Sequence, residues 1–296
     1  MRWRSVILAS VILSLAGLAG LTDRGWESHA SKRVEPVPKK LRRMSSAFAV
    51  PVLMYHRINN LNDHEARSPL MRDLTVPPPD FEEQVKYLAE NGFTFLLASQ
   101  VEEAVRRGEP LPERSVAITM DDGYEDNFEK AFPILQKYHG CATVFMVTNN
   151  FERPERLSWT EARAMRDGGV GWGSHTVSHA DLTTLPNDRL DFELVQSKRI
   201  LEQGLNVPID DIAYPSGEYS DLVVEHTKDA GYLAGWKKGG GPVQPGAPAY
   251  LLPRVRVHGR TTMDDFRRKV WSGYWTMRMR SDTRVSSRGT HRSMRA

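Results

Sequence analysis

Short apolar runs recur along this chain with helix-forming segments between them, and that alternation restricts the fold more than any single motif does. The runs lie near residues 51–55, 93–98, 115–120, 142–147, 170–174, 211–214, 231–236 and 252–257. Asp80 is predicted to cap a helix that carries Phe81, Val85 and Leu88 at helical spacing. Asn187 to Gly204 predicts a second helix, with Leu190, Leu194, Ser197 and Leu201 along one stripe and Gly204 as its stop. Asp221 to Ala230, ended by Gly231, predicts a third. Strands that alternate with helices imply a parallel sheet. Seven or eight such units in a chain of 296 residues suit an α/β fold of the (β/α) barrel type.

Parallel α/β folds place their ligand sites at strand C-termini, and two strand candidates end in residues that carry chemistry. Val116-Ala117-Ile118 leads into Thr119-Met120-Asp121-Asp122-Gly123-Tyr124, and Val170-Gly171-Trp172 leads into Ser174-His175-Thr176-Val177-Ser178-His179. Together they supply two adjacent carboxylates and two histidines four residues apart. Histidines at i and i+4 share a face if the backbone there is helical. Two imidazoles and one carboxylate suffice for a catalytic Zn²⁺ with a position left open for water, and the neighbouring carboxylate is then free to act as a base. Each piece has a plainer reading. An Asp-Asp-Gly triplet at a strand end is commonly an Asx turn, and a histidine pair at this spacing is often incidental.

These residues resemble a known family, the polysaccharide deacetylases, which share the NodB-homology domain and form carbohydrate esterase family 4. The family's T-F-D-D-G motif stands here as Thr119 to Gly123 with Met120 in place of Phe, and its S-H-T-x-x-H motif stands unaltered at 174–179. Ala213-Tyr214-Pro215-Ser216-Gly217-Glu218-Tyr219 is similar to the A-Y-P-x-G-x-Y version of exported deacetylases of poly-N-acetylglucosamine type. Val52-Leu53-Met54-Tyr55-His56-Arg57-Ile58 and Leu252-Pro253-Arg254-Val255-Arg256-Val257 look like the same subgroup. The resemblance spans about residues 50–272. It implies a distorted (β/α) barrel of seven to eight parallel strands and hydrolysis of N-acetyl groups on an extracytoplasmic N-acetylhexosamine polymer.

Amide hydrolysis near neutral pH needs an activated water, a stabilised oxyanion and a proton for the departing amine. A divalent ion lowers the pKa of its water to about 7 and polarises the carbonyl. The resemblance implies Asp122, His175 and His179 as ligands of such an ion, Zn²⁺ being the first expectation, and Asp121 as the general base. The backbone amide of Ser216 corresponds to the family's oxyanion donor, although Pro215-Ser216-Gly217 also reads as a plain turn. Many members carry an Arg two residues before the motif proline, where it orients the base. This chain has Ala213 there, and Arg254 is the candidate substitute. His258 lies near the place of the family's general acid, with a loop histidine as the other reading. His56 closes the first strand candidate and either lines the same pocket or is structural.

Other substrates stay open at this point: peptidoglycan, chitin oligomers and O-acetylated xylan. A carbohydrate-binding relative without catalysis is disfavoured because Asp121, Asp122, His175 and His179 are all present. A paired-carboxylate glycosidase is disfavoured because its carboxyls must flank a bond about 5–9.5 Å apart, while Asp121 and Asp122 are neighbours.

The net charge of +3 is unevenly spread: residues 1–45 carry +6, residues 276–296 carry +5, and the segment between them carries −8. An acidic domain argues against nucleic acid as a partner. Arg2 and Arg4 precede an apolar run from Val6 to Leu21, the pattern of a signal peptide or signal anchor over 1–21. Residues 22–47 read as a linker, 48–275 as the deacetylase domain and 276–296 as a disordered basic tail. The expectation is an exported monomer that is secreted, periplasmic or held at the outer face of the cytoplasmic membrane by its N-terminal segment. Cys141 is the only cysteine, which excludes an intramolecular disulfide, and it reads as a buried strand thiol.

Overall fold

Eight strands pair side by side, all parallel, in a computed structural model that describes residues 49–272. In chain order the strands are β1 (Val52–Tyr55), β2 (Arg57–Ile58), β3 (Thr75–Val76), β4 (Thr94–Leu96), β5 (Ser115–Asp121), β6 (Thr143–Met146), β7 (Gly171–Ser174), β8 (Asp211–Ala213), β9 (Ala234–Lys238) and β10 (Leu252–Arg256). β2 and β3 form a separate two-stranded ladder. The main sheet runs β1-β10-β9-β8-β7-β6-β5, and pairing of β1 with β5 closes it into a seven-stranded barrel. β4 pairs with the first half of β5, Thr94 opposite Ser115 and Leu96 opposite Ala117. The barrel expectation is met, and each strand candidate falls on a strand. The run near 231–236 starts three residues later, at Ala234, because Gly231 (φ 81°) first turns the chain out of the preceding helix.

The period-2 alternation of a strand sorts side chains by face. Val116, Ile118 and Met120 join Leu53, Val144, Met146 and Ile212 in one buried cluster that also takes in the helices. Ala117, Val52, Phe145, Ala213, Ala234, Trp236 and Leu252 form a second. Thr119 and Asp121 share the face of Ala117, and Arg254 shares the face of Leu252, so polar side chains stand above the second cluster at one end of the barrel.

The helices are α1 (Pro69–Leu74), α2 (Pro78–Glu90), α3 (Ala98–Arg107), α4 (Phe132–Lys137), α5 (Trp159–Asp167), α6 (Asn187–Leu205), α7 (Asp221–Asp229) and a last one, α8, over 263–272. α2 buries Phe81, Val85 and Leu88, but Asp80 is not its cap: Pro77 is, and Pro78 opens the helix, where a missing N–H costs nothing. α6 buries the whole expected stripe and Glu193 beside it. Gly204 is not its stop. Asn206, at φ 53°, ends the helix, while Gly204 leaves room for Trp159, whose ring would lie 2.1 Å from an added Cβ. α5 starts at a capping box in which Ser158 accepts from Glu161 N and Glu161 accepts from Ser158 N. Cys141 precedes β6 by two residues and is only half-buried; burial still pushes its thiol up to about 11.

Among the described residues no helix is long and apolar enough to cross a membrane. The segments read as signal (1–21), linker (22–47) and basic tail (276–296) lie outside the described residues.

Candidate active site

β5 ends at Asp121, and the next two residues turn the chain with φ of 73° at Asp122 and 71° at Gly123. Asp tolerates this left-handed region better than most side chains. Gly123 cannot be replaced cheaply, since an added Cβ would sit 1.9 Å from Met146 Sδ. Asp122 N donates to Phe145 O at 3.0 Å, and Asp122 O accepts from Asn150 Nδ2 at 3.1 Å. The turn is thereby pinned from both sides, and both carboxylates come near His175 Nε2, Asp122 Oδ1 at 3.6 Å and Asp121 Oδ2 at 4.0 Å.

Asp121 points along the barrel interior into Arg254. Arg254 Nη1 donates to Asp121 Oδ1 at 2.6 Å and Nη2 to Oδ2 at 2.8 Å. Nη1 also lies 3.3 Å from Thr119 Oγ1, and the guanidinium carbon stands 5.2 Å from the centre of the Phe145 ring. Burial works to raise the pKa of Asp121, but the charges of Arg254 and His175 and the paired hydrogen bonds hold it down at about 2. The carboxylate is ionised throughout the working range of an enzyme.

β7 ends at Ser174, and the histidine segment that follows is not helical. Thr176 and His179 have φ of 70° and 61°. Side chains take over the backbone hydrogen bonds that a helix would have made. Thr176 N donates to Ser174 Oγ (3.1 Å) and His179 N to Thr176 Oγ1 (3.0 Å). Val177 N and Ser178 N both donate to Glu193 Oε2 at 2.8 Å, and Ser178 Oγ donates to Glu193 Oε1 at 2.6 Å. The helical backbone on which a shared face of the histidine pair was conditional is absent, and a tight loop stands in its place. It still brings the two rings edge to face with centroids 4.7 Å apart.

His175 Nδ1 lies 2.7 Å from Ala213 O, an acceptor that only an N–H can serve, so the lone pair falls on Nε2. That Nε2 is 3.6 Å from Asp122 Oδ1, and His179 Nε2 is 3.7 Å from the same oxygen. One ligand atom from each of Asp122, His175 and His179 lies within 4.8 Å of the others. Asp122 Oδ1 is buried and accepts no hydrogen bond among the described residues. Such orphaned oxygens are rare in folded proteins, and a carboxylate oxygen flanked by two imidazole nitrogens is the donor set of a divalent cation. Burial lowers the pKa of His175 against the opposing pull of Asp121 and Asp122, which favours the neutral ring that a metal requires. His179 is exposed, which leaves the cluster open to solvent on its side.

β8 ends at Ala213, whose carbonyl holds His175, and the chain passes directly into the Pro215–Gly217 turn. Ser216 adopts φ 58°, ψ 0°, and its N–H meets no backbone acceptor among the described residues. The turn is seated on the end of β9, with Gly217 at φ 81° and no space for a side chain against Lys238.

The two other candidate histidines, each with two readings in the sequence, are placed differently from one another. His258 N donates to Thr261 Oγ1, and His258 Nδ1 accepts from Arg260 N. The charges that act on it are Asp73, Lys269, Arg260 and Arg256, and burial lowers its pKa. No hydrogen bond or ion pair among the described residues joins it to Asp121, Asp122, His175 or His179. His56, just after β1, has its pKa lowered by burial, with the charges of Asp121 and Asp122 pulling it up and those of Arg256 and Arg254 pushing it down. Its carbonyl accepts from Asn127 Nδ2 at 2.9 Å, while its ring has no hydrogen-bond partner among the described residues. Glu193 was not singled out in the sequence. A carboxylate on the otherwise apolar stripe of α6 was the available signal.

A parallel barrel with a carboxylate–arginine pair beside an Asp-His-His cluster at its strand ends defines a hydrolase site. Comparison with known proteins agrees. A sequence profile of the polysaccharide deacetylases matches residues 108–235. The YxkH protein of Bacillus subtilis (strain 168), assigned to the polysaccharide deacetylases, is 30% identical over 208 residues, which cover 70% of this chain and 71% of that protein. The poly-beta-1,6-N-acetyl-D-glucosamine N-deacetylase of Staphylococcus aureus (strain MSSA476) is 28% identical over 300 residues, 93% of this chain and 99% of that one. The Streptococcus pyogenes deacetylase PplD, solved with acetate, superposes with a TM-score of 0.71 at 27% identity and covers 76% of this chain and 99% of that one. The chain belongs to the polysaccharide deacetylase family and is a carbohydrate deacetylase.

Proposed function

We propose that this chain removes N-acetyl groups from an extracytoplasmic polymer of N-acetylglucosamine, with a divalent ion, Zn²⁺ first, held by Asp122, His175 and His179. The observation that carries the reading is the buried, bidentate Arg254–Asp121 pair set beside the Asp122-His175-His179 cluster. Held by Asp122, His175 and His179, a divalent ion would supply Lewis acidity toward the acetyl carbonyl and lower the pKa of an attacking water. Asp121, held ionised and fixed in direction by Arg254, takes the proton of the attacking water. Ser216 N–H donates to the carbonyl oxygen as it gains charge, a type of contact that contributes about 10²–10³-fold in other acyl-transfer sites. Water adds to the carbonyl carbon, the C–N bond breaks, and the amine leaves with one added proton. His56 is the donor of that proton in this reading, in place of His258, because the charges of Asp121 and Asp122 act on His56, whereas those that act on His258 are Asp73, Lys269, Arg260 and Arg256.

The polymer is assigned from the end-to-end similarity to the S. aureus enzyme, whose name states its substrate. Export by residues 1–21 follows from the n-region and apolar run. Zn²⁺-loaded protein is to be incubated with oligomers of β-1,6-linked N-acetylglucosamine and, in parallel, with peptidoglycan fragments, chitin oligomers and acetylated xylan, and the products weighed by mass spectrometry. Loss of acetyl groups from the β-1,6 oligomers supports the reading. Turnover confined to one of the other three overturns the substrate assignment.

A further inference from the structure

Glu193 sits on the inner stripe of α6, 1% exposed, among leucines and Ser197. A carboxylate in such a place needs partners that replace water, and its closest ones all come from the loop between the two histidines. Oε2 takes Val177 N and Ser178 N together, and Oε1 takes Ser178 Oγ. Arg189 stands further off, at 3.9 Å, with its side chain mostly exposed. Consecutive backbone N–H groups that converge on one oxygen form the kind of concavity that elsewhere binds free anions. Here the anion is a side chain of the protein itself. The loop it holds has left-handed residues on both sides, Thr176 and His179.

His175 is secured independently of this contact. Its N–H donates to Met146 O at 2.9 Å and its ring to Ala213 O at 2.7 Å. Among the described residues the His179 ring makes no such hydrogen bond; its backbone is tied to Thr176 Oγ1 and its ring faces Asp122 and His175. The carbonyls of Thr176 and Val177 are also held, by Thr148 N at 3.1 Å and Asn149 N at 2.9 Å, so what Glu193 secures is the N–H side of Val177 and the whole of Ser178, and slackening there falls on the next residue, His179.

Resting on the reading of Asp122, His175 and His179 as a metal site, we propose that Glu193 is a positioning residue for that site: it gathers the 176–178 loop and so fixes His179 in its ligating position. The contact acts by reach and acceptor geometry. Glutamine meets the same demands, because one amide oxygen can accept from both N–H groups while its NH₂ donates to Ser178 Oγ. Aspartate keeps the charge but withdraws the oxygens by one methylene.

The test is Zn²⁺ affinity, measured on the whole purified chain by competition with a chromophoric chelator, with Co²⁺ substitution and its visible absorption as a second readout of ligand geometry. Glu193→Ala is expected to weaken Zn²⁺ binding about 10–100-fold, the usual effect of losing an outer support of a metal ligand. Glu193→Gln is expected to stay within about threefold of wild type, and Glu193→Asp to lose as Glu193→Ala does. In a His179→Ala background, Glu193→Ala is expected to cause no further loss, since its path of action is already gone. Should Glu193→Ala give no folded protein, Glu193→Asp carries the same test. Wild-type affinity in the Ala or Asp variant overturns the proposal, as does a Gln variant as weak as Ala, or an added loss in the His179→Ala background. Wild-type protein that binds no stoichiometric Zn²⁺ overturns the metal reading itself. Tight wild-type binding with unchanged variants overturns only the role of Glu193.

Discussion

Arg254 and Asp121, 133 residues apart in the chain, meet as a bidentate ion pair in which neither side chain is more than 3% exposed. Two buried charges are tolerable only together, and removal of one partner of such a pair costs roughly 3–5 kcal/mol. Arg254→Ala is thus expected to lower the free energy of unfolding by about that amount and to reduce turnover by at least about tenfold, because Asp121 loses both its orientation and its counter-charge. Arg254→Lys keeps the charge but not the two-point contact, and should fall between. Urea denaturation and steady-state kinetics measure both. An Arg254→Ala protein with wild-type stability would contradict the buried pairing.

The two carboxylates should separate by experiment. Asp121→Asn is expected to keep its metal and lose about 10²–10⁴-fold in turnover, the usual contribution of a general base. Asp122→Asn, His175→Ala and His179→Ala are expected to weaken metal binding and lower activity together, His179→Ala keeping a weaker Zn²⁺ affinity through Asp122 and His175 that competition still measures. Metal content by atomic spectroscopy, set against rate, checks the division. Equal metal loss in both Asp variants would reverse the roles.

His56 and His258 are distinguished by leaving group. If His56 protonates the amine, His56→Ala should slow amide hydrolysis by about 10²-fold or more with metal content intact. An activated aryl acetate, whose leaving group needs no proton, should be cleaved by this variant nearly as fast as by wild type. His258→Ala should leave both rates within about twofold of wild type. The opposite pattern would return the proton to His258.

Asp211 gives the fold a pH dependence of its own. Its side chain is buried at the start of β8 and accepts from Trp236 Nε1 at 2.6 Å. Burial, reinforced by Glu102 and Asp210 against the pull of Trp236, raises its pKa to about 7. An unfolded Asp releases its proton near about 3.9, so between these values the folded chain holds a proton that the unfolded chain has lost. The stabilisation is complete below about pH 4 and is lost as pH rises toward 7, at roughly 1.4 kcal/mol per unit at most. Asp211→Asn, which keeps an acceptor for Trp236, should remove this slope and so gain stability over wild type as pH rises from 5 to 8. Parallel unfolding curves for the two proteins across that range would show that Asp211 carries no such shift.

Gly123 is held at φ 71° with Met146 Sδ where a Cβ would go. Gly123→Ala should destabilise the turn by about 1–3 kcal/mol and weaken metal binding through Asp122. Calorimetry with and without Zn²⁺ reads both effects. A fully stable, metal-tight variant would show that Met146 and the turn can both give way.

The alternation of apolar runs and amphipathic segments by itself determined the parallel strands and, to within three residues at β9, their positions, because period 2 and period 3.6 are local properties of a chain; closure into a barrel needed the pairing of β1 with β5. The adjacency of Asp121 to Asp122 and the spacing of His175 and His179 likewise placed the site at strand C-termini. What the alternation left open was decided by contacts between distant residues. The histidine pair shares its ligand position through hydrogen bonds that backbone N–H groups donate to the side chains of Ser174, Thr176 and Glu193, and no i, i+4 rule reports these. Pro77 and Asn206, rather than Asp80 and Gly204, bound their helices, since Gly204 was needed for Trp159 to pack. His56 and His258 both follow barrel strands and look alike in sequence. Only closure of β1 against β5 and β10 brings His56 within the field of the carboxylates, while the loop after β10 folds back on residues 72–75 and takes His258 with it. The direction of a side chain after a strand end depends on what packs above it, and that is a property of the whole fold.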